Sequence, residues 1–374
     1  MKVTEHQKSE INFFRLRPAL LTDSRDGSRV RDGIYKAIKS AMDFVSKESG
    51  KEVCLKLNNN TVNIRVYGTG ISDQNELSRI VFGPGMSGRM DSREYVQHHR
   101  AYFYNAFPPY FINIISEEFT FVSYSEGKST SIYCAKGMLV KEYEKPTQEM
   151  DGLEITFTLD REIFKEYSFN KAYVIHAIKY TVARHNGLRV TFEGIDFHYE
   201  DGLLGLLKDE VGTNALYEPI HLCDGDLELA FTHIEKPVTE IISFCNTVHT
   251  WDGGSHVEAL KEVLPGFMNR FITETKLHPM NGLICYFGIN LLDMKFGNAG
   301  DIVYAGHMWE YDSDGNEVNG PKLIDKIEDF LRKDIVDSNV KLHHLNIRQS
   351  DRRRTSYANN LCIGIQPTLH QNAQ

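Results

Sequence analysis

Two runs of alternating side chains, at 119–124 and 129–134, flank the tetrapeptide Ser125-Glu-Gly-Lys128. That arrangement is the mark of an antiparallel β-hairpin. Further short strand-like runs stand at 53–57, 61–67, 111–115, 153–158, 188–192, 227–232, 241–246 and 283–290. They fall into groups separated by single helical patterns. Val30, Ile34, Ala37, Ile38, Ala41, Phe44 and Val45 share one face at a 3.6-residue period, while Tyr173, Ile175, Ala177, Ile178 and Val182 mark a helix buried more completely. Antiparallel groups broken by lone helices imply α+β layers rather than a doubly wound parallel sheet.

The second half repeats this logic. Ser255-His-Val-Glu258 has the spacing of a capping box, and Ala259, Leu260, Val263, Leu264, Phe267, Met268 and Phe271 follow it at helical intervals. Pro265 lies inside that run and predicts a kink or a break. A later helix is built on Leu323, Ile324, Ile327, Phe330, Leu331 and Ile335. A chain of 374 residues is too long for one compact core. The glycine-rich, acidic stretch 201–226 is the best boundary between two domains.

Composition narrows the functional classes. With 42 Lys+Arg against 51 Asp+Glu, the net charge of -9 excludes a surface that is basic throughout, though not a local basic patch. The six cysteines, at 54, 134, 223, 245, 285 and 362, include no C-x-x-C pair, which argues against a zinc knuckle or a disulfide framework. The N-terminus has no apolar signal region, and no run of eighteen apolar residues occurs. A cytoplasmic protein without membrane contact is expected.

One segment is specific. Ser243-Phe-Cys-Asn246-Thr-Val-His-Thr-Trp-Asp-Gly253-Gly254-Ser-His256 resembles the S-F-x-N-x-x-x-T-x-x-G-G-T/S-H pattern of DNA gyrase and topoisomerase IV B subunits. Phe197-His-Tyr-Glu-Asp-Gly202 looks like the F-x-Y-x-G-G stretch that closes that family's ATPase domain. Asn281-Gly-Leu-Ile284 through Lys295-Phe296 is similar to its E-G-L…V-P-x-P-K-F stretch, and Arg17-Pro18 sits where the family's opening R-P falls. The resemblance implies a Bergerat-type (GHKL) α/β sandwich over 1–210, a transducer domain with the ribosomal-protein-S5-like fold over 211–345, and a basic tail over 346–374.

In that family the cofactors are ATP and Mg²⁺, and the chemistry needs six things. These are a carboxylate base, an amide for magnesium, an acid reading adenine, lid glycines over the phosphates, the threonine after the glycine of the T-G-T strand, and a transducer lysine. Carried onto this chain, the positions read Lys36 for the base, Ser40 for the amide, Val66 for the acid, Leu153 for the threonine and Asp301 for the lysine. Lys36 is a cation at neutral pH and has no lone pair with which to deprotonate water. Of the D-x-G-x-G motif only Gly68 and Gly70 remain, and a strand-ending turn explains them more simply. The lid segment Tyr95-Val-Gln-His-His-Arg100 carries no glycine, and its neighbouring His98 and His99 point apart, as solvated histidines do. No catalytic residue and no metal site is therefore assigned.

The chain ends without an E-G-D-S-A segment, so DNA cleavage by it alone is not expected. Arg352, Arg353 and Arg354 form the one dense basic cluster, with Tyr357 beside them to stack on a base. They are the candidate DNA contact; a solvated tail is the plainer alternative. The resemblance implies an ATPase–transducer fragment that has lost hydrolysis and serves as a binding or assembly module. Its partners would be DNA, a topoisomerase subunit or a second copy of itself. The alternative is a working topoisomerase ATPase that uses other residues.

Overall fold

The computed structural model describes residues 3–16, 30–83, 109–165, 167–250, 253–269, 279–290, 295–296, 303–304, 307–311 and 317–337. Helix α1 (Glu5–Arg15) begins at a Thr4–Gln7 capping box, in which each side chain accepts from the other residue's backbone N–H. Helix α2 (Val30–Glu48) leads to β1 (Glu52–Asn58) and β2 (Thr61–Tyr67). After α3 (Gln74–Phe82) and α4 (Pro109–Ile115) come β3 (Ser116–Ser125), β4 (Lys128–Ala135), β5 (Met138–Pro146) and β6 (Gly152–Leu159). The short α5 (Arg161–Phe164), then α6 (Lys171–Arg184), β7 (Arg189–Phe192) and β8 (Ile195–Phe197) complete this half.

These strands form one eight-stranded sheet in the order β5-β4-β3-β6-β2-β1-β7-β8. Of its strand pairs only β1–β7 is parallel. The predicted hairpin is β3–β4, and Glu126 and Gly127 at its turn both have positive φ, which two-residue turns between twisted strands demand. Alternation sets the layers. On β6, Leu153, Ile155, Phe157 and Leu159 are buried while Glu154, Thr156 and Thr158 are less so. The apolar face packs under α2, α4 and the Val174, Ile178 and Val182 side of α6.

The second half runs through α7 (Leu203–Val211), β9 (Ile220–Cys223), β10 (Leu227–His233), β11 (Glu240–Cys245), β12 (Val248–His249), α8 (Ser255–Met268) and β13 (Leu283–Ile289), and its five strands form a second sheet. Its order is β12-β11-β13-β10-β9, with β11 and β13 parallel and α8 lying between them in the chain. Two short pairs, β14 (Lys295–Phe296) with β15 (Val303–Tyr304) and β16 (His307–Tyr311) with β17 (Glu317–Lys322), precede α9 (Leu323–Asp337). Helices α8 and α9 cover one face of this sheet. On the other face, Leu203, Leu206 and Leu207 of α7 meet Tyr180 and Ala183 of α6. Helix α6 thus serves both sheets, which is why its apolar pattern is broader than a single stripe.

Three sequence expectations are corrected. Residues 111–115 are helical, within α4, because all seven residues Pro109–Ile115 are buried; an apolar run enclosed on every side carries no period to separate helix from strand. The Ser255–Glu258 box does not cap α8. Gly254 is the N-cap, without a side-chain bond, and its carbonyl accepts from Val257 and Glu258. Pro265 does not break that helix. The last turn persists because Phe267 and Met268 after it are buried in the core.

Candidate functional site

Helix α2 carries Ser40 and packs on β2 and β6, the strands that carry Val66 and Leu153. Val66 stands directly opposite Leu153 across the β2–β6 ladder, and Tyr67 opposite Gly152. Val66 and Leu153 are fully buried and Ser40 nearly so, at 0%, 0% and 8% exposure. The apolar pair belongs to the core beneath α2. An adenine amino group needs an acceptor and a magnesium ion needs oxygen ligands. Neither side chain of the Val66–Leu153 pair has a polar atom, and Ser40 brings one hydroxyl, so these positions do not fit ATP and Mg²⁺.

Gly68 and Gly70 follow β2, and their role is steric. A Cβ on Gly68 would lie 2.1 Å from the Ser49 carbonyl oxygen, and one on Gly70 would lie 1.9 Å from that of Tyr124. The loop is pinned by Thr69 N–H donating to Ser49 O at 3.0 Å and Gly68 N–H donating to Asp151 O at 3.0 Å. Ser123 adds two more bonds, accepting from Ile71 N–H and donating to Ile71 O, each 2.7 Å. The loop lies against backbone on both sides, as a strand-ending turn does.

Lys36 is in α2, one turn before Ser40; its side chain, together with Asp301, His98, His99, Arg352, Arg353 and Arg354, lies outside the described residues.

What sequence reasoning missed lies on the same helix. Asp43, 2% exposed, receives an ion pair from Lys39 one turn earlier. It also bonds His185 Nε2 at 2.8 Å, and Thr247 donates to it at 3.4 Å from the turn between β11 and β12. Burial works to raise the Asp43 carboxyl, but Lys39 and the bond to His185 outweigh it and hold it at about 2. Next to His185, Arg184 pairs with Glu228 on β10 at 2.7 Å and donates to Asn246 O and Asn290. The Lys39–Asp43 spacing was legible as an i,i+4 pair. The His185 and Thr247 partners, 142 and 204 residues away, leave no local signal.

The specific motif of the second half turns out to be a buried polar knot. Thr250 donates to Ser243 O at 3.0 Å and bonds His256 Nε2 at 3.2 Å, and the Ser243 hydroxyl meets that of Thr250. All three residues are buried. The knot ties β11, the following loop and the first turn of α8 together. Burial pushes His256 down to about 4.

An eight-stranded sheet under helices, followed by a sheet with a β-α-β crossover, is the fold of the GHKL ATPase domains of type II topoisomerases. In sequence the chain is similar to the DNA gyrase and topoisomerase IV B subunits. The DNA gyrase B family model matches residues 202–283. Among solved structures, the B subunit of DNA gyrase from Myxococcus xanthus is similar with a TM-score of 0.65 at 17% identity, covering 87% of this chain and 94% of that one. The 43K ATPase domain of Thermus thermophilus gyrase B, in complex with an aminocoumarin, gives 0.60 at 19% identity, covering 87% and 91%. The B subunit of DNA topoisomerase 4 from Borreliella burgdorferi is 27% identical over 77% of this chain and 49% of that protein. The B subunit of DNA gyrase from Archaeoglobus fulgidus is 30% identical over 35% of this chain and 23% of that protein. The chain therefore spans about half the length, or less, of these two curated relatives.

Proposed function

We propose that this chain is a gyrase-B-like ATPase–transducer module that has lost ATP hydrolysis and works as a binding or assembly element beside DNA or a topoisomerase-type partner. The observation that carries this reading is the Val66–Leu153 pair, two buried aliphatic side chains facing each other where the family reads adenine. The residues Lys36 and Asp301, at the positions of the base and the phosphate lysine, support it by their charge. A cation brings no base, and an aspartate repels a phosphate where a lysine would attract it. The basic run Arg352–Arg353–Arg354 is the DNA-contacting element of this reading.

The test is a melting curve with and without millimolar Mg-ATP or a non-hydrolysable analogue, followed by a phosphate-release assay with and without DNA. A ligand at a hundred times its dissociation constant stabilises a fold by about 2.7 kcal/mol, an easily visible shift. No shift and no release above background are expected. A shift without turnover would make the module a nucleotide-gated one. Turnover would establish the working ATPase instead and overturn the proposal. For DNA, truncation after Asn346 should flatten the salt dependence of duplex affinity; an unchanged slope would remove the arginine run from the reading.

A further inference from the structure

The C-terminal end of α6 places two polar side chains, Arg184 and His185, in consecutive positions, and they reach in different directions. Arg184 crosses to the second sheet. Its guanidinium pairs with Glu228 on β10 at 2.7 Å, donates to Asn246 O beyond β11 at 3.1 Å, and reaches Asn290 beyond β13 at 3.2 Å. Glu228 is held in turn by Leu203 N–H at 2.7 Å, at the start of α7, and by His221 at 3.2 Å on β9. Gly288 on β13 makes the room: a Cβ there would lie 2.3 Å from Arg184 Nη1. His185 turns back to the first half and bonds Asp43 of α2 at 2.8 Å. Thr247, one residue from Asn246, closes the circuit by donating to Asp43 at 3.4 Å.

We infer that Arg184 and His185 form a clamp that couples the two sheets, so that the helix layer of the first and the strands of the second move and unfold as one body. Two features distinguish a clamp from ordinary surface pairing. The guanidinium is 6% exposed and the imidazole 7%, so neither bond is made in bulk solvent. A buried ion pair contributes most through what its loss leaves behind, an uncompensated charge. The bonds also converge from separate elements: the end of α6 and the β11–β12 turn on Asp43, and β10 and the ends of β11 and β13 on Arg184. Separating the sheets would strip Arg184 of Glu228, Asn246 and Asn290 and take Thr247 from Asp43.

The experiment reads the two halves separately by hydrogen exchange with mass spectrometry, on peptides of β2 and β6 for the first and of β10 and β13 for the second. In urea the full chain should show coincident transitions in the two sets of peptides. Arg184→Met should separate them, as should Gly288→Ala, whose Cβ would displace the guanidinium. Thr247→Val removes one bond at a partly exposed turn and should give a smaller separation. Variants whose two transitions shift together would overturn the inference, since the bonds would then add stability without coupling. Non-coincident transitions in the unaltered chain would overturn it directly. If Arg184→Met fails to fold, Thr247→Val and the unaltered chain decide between the same outcomes.

Discussion

Asp43 shows how much of a site's physics can hang on one side chain. It sits three residues after Ser40 on α2, and its two carboxylate oxygens take bonds from Lys39, His185 and Thr247. Replacing it by asparagine keeps the shape but leaves Lys39, 18% exposed, without its counter-charge. Loss of one partner from such a buried pair costs about 3–5 kcal/mol. The expected outcome for Asp43→Asn is a drop of that size in urea-derived stability; a change below about 1 kcal/mol, the median for surface pairs, would show the cluster to be solvated in solution. Gly70 makes the opposite kind of demand. With the Tyr124 carbonyl 1.9 Å from where an added methyl would sit, Gly70→Ala forces backbone to move and should cost about 1–3 kcal/mol. At this scale the sequence was legible in part. The apolar letters at 66 and 153 already suited a buried position, and Gly68 and Gly70 already read as a turn. The partners of Asp43 were not legible, because contact between residues 43, 185 and 247 is made by the packing of three elements and not by any spacing along the chain.

Among the elements, α4 is the instructive one. Its sequence, Pro109-Tyr-Phe-Ile-Asn-Ile-Ile115, contains β-branched and aromatic residues that favour strands, and it folds as a helix in the core between α1, α3 and the sheet. Asn113 is its one amide. That side chain donates to the carbonyl of Val81 at 3.0 Å and, more weakly, to that of Gly137 at 3.4 Å. Val81 lies in the last turn of α3, where carbonyls have no partner within their own helix, so α4 caps its neighbour from the side. Asn113→Ala would leave that carbonyl buried and unpaired at a cost of about 1–3 kcal/mol. The expected result is faster hydrogen exchange in α3 than in β6, since the lost bond belongs to α3; equal effects on both would show a global loss instead. Strands with clean alternation, such as β6, were legible because one face is more deeply buried than the other. Helix α4 was not, because its surroundings are dry on every side.

Across the whole molecule, desolvation acts on four histidines, His176 on α6 and His233, His249 and His256 in the second half. Burial holds His256 at about 4 and, with help from nearby His176 and Lys39, lowers His249 to about 3; it also lowers His233 and His176. Each is neutral in the folded chain and binds a proton near pH 6.5 once unfolded. The unfolded state therefore takes up more protons than the folded one below that pH, and stability falls as acid is added. The contribution is fully present above about pH 6.5 and is lost on descent toward the folded values, at up to about 1.4 kcal/mol per pH unit for each histidine. Asp43 does not blur this window. Its carboxyl is held at about 2, so its contribution is intact above the unfolded aspartate value near 4 and is lost only below it. Glu240 works in the opposite sense, since burial raises its carboxyl and folding favours its protonated form, but among the described residues it is one group against four. Urea midpoints measured at pH 7.5, 6.0 and 5.0 should be level above the histidine range and fall steeply between 6.0 and 5.0. His256→Gln should flatten part of that fall, because the glutamine can still bond Thr250 and cannot take up the proton. A midpoint that stays constant down to pH 5, or a variant with the slope of the unaltered chain, would show that these histidines are solvated and that the second sheet is looser than its packing implies.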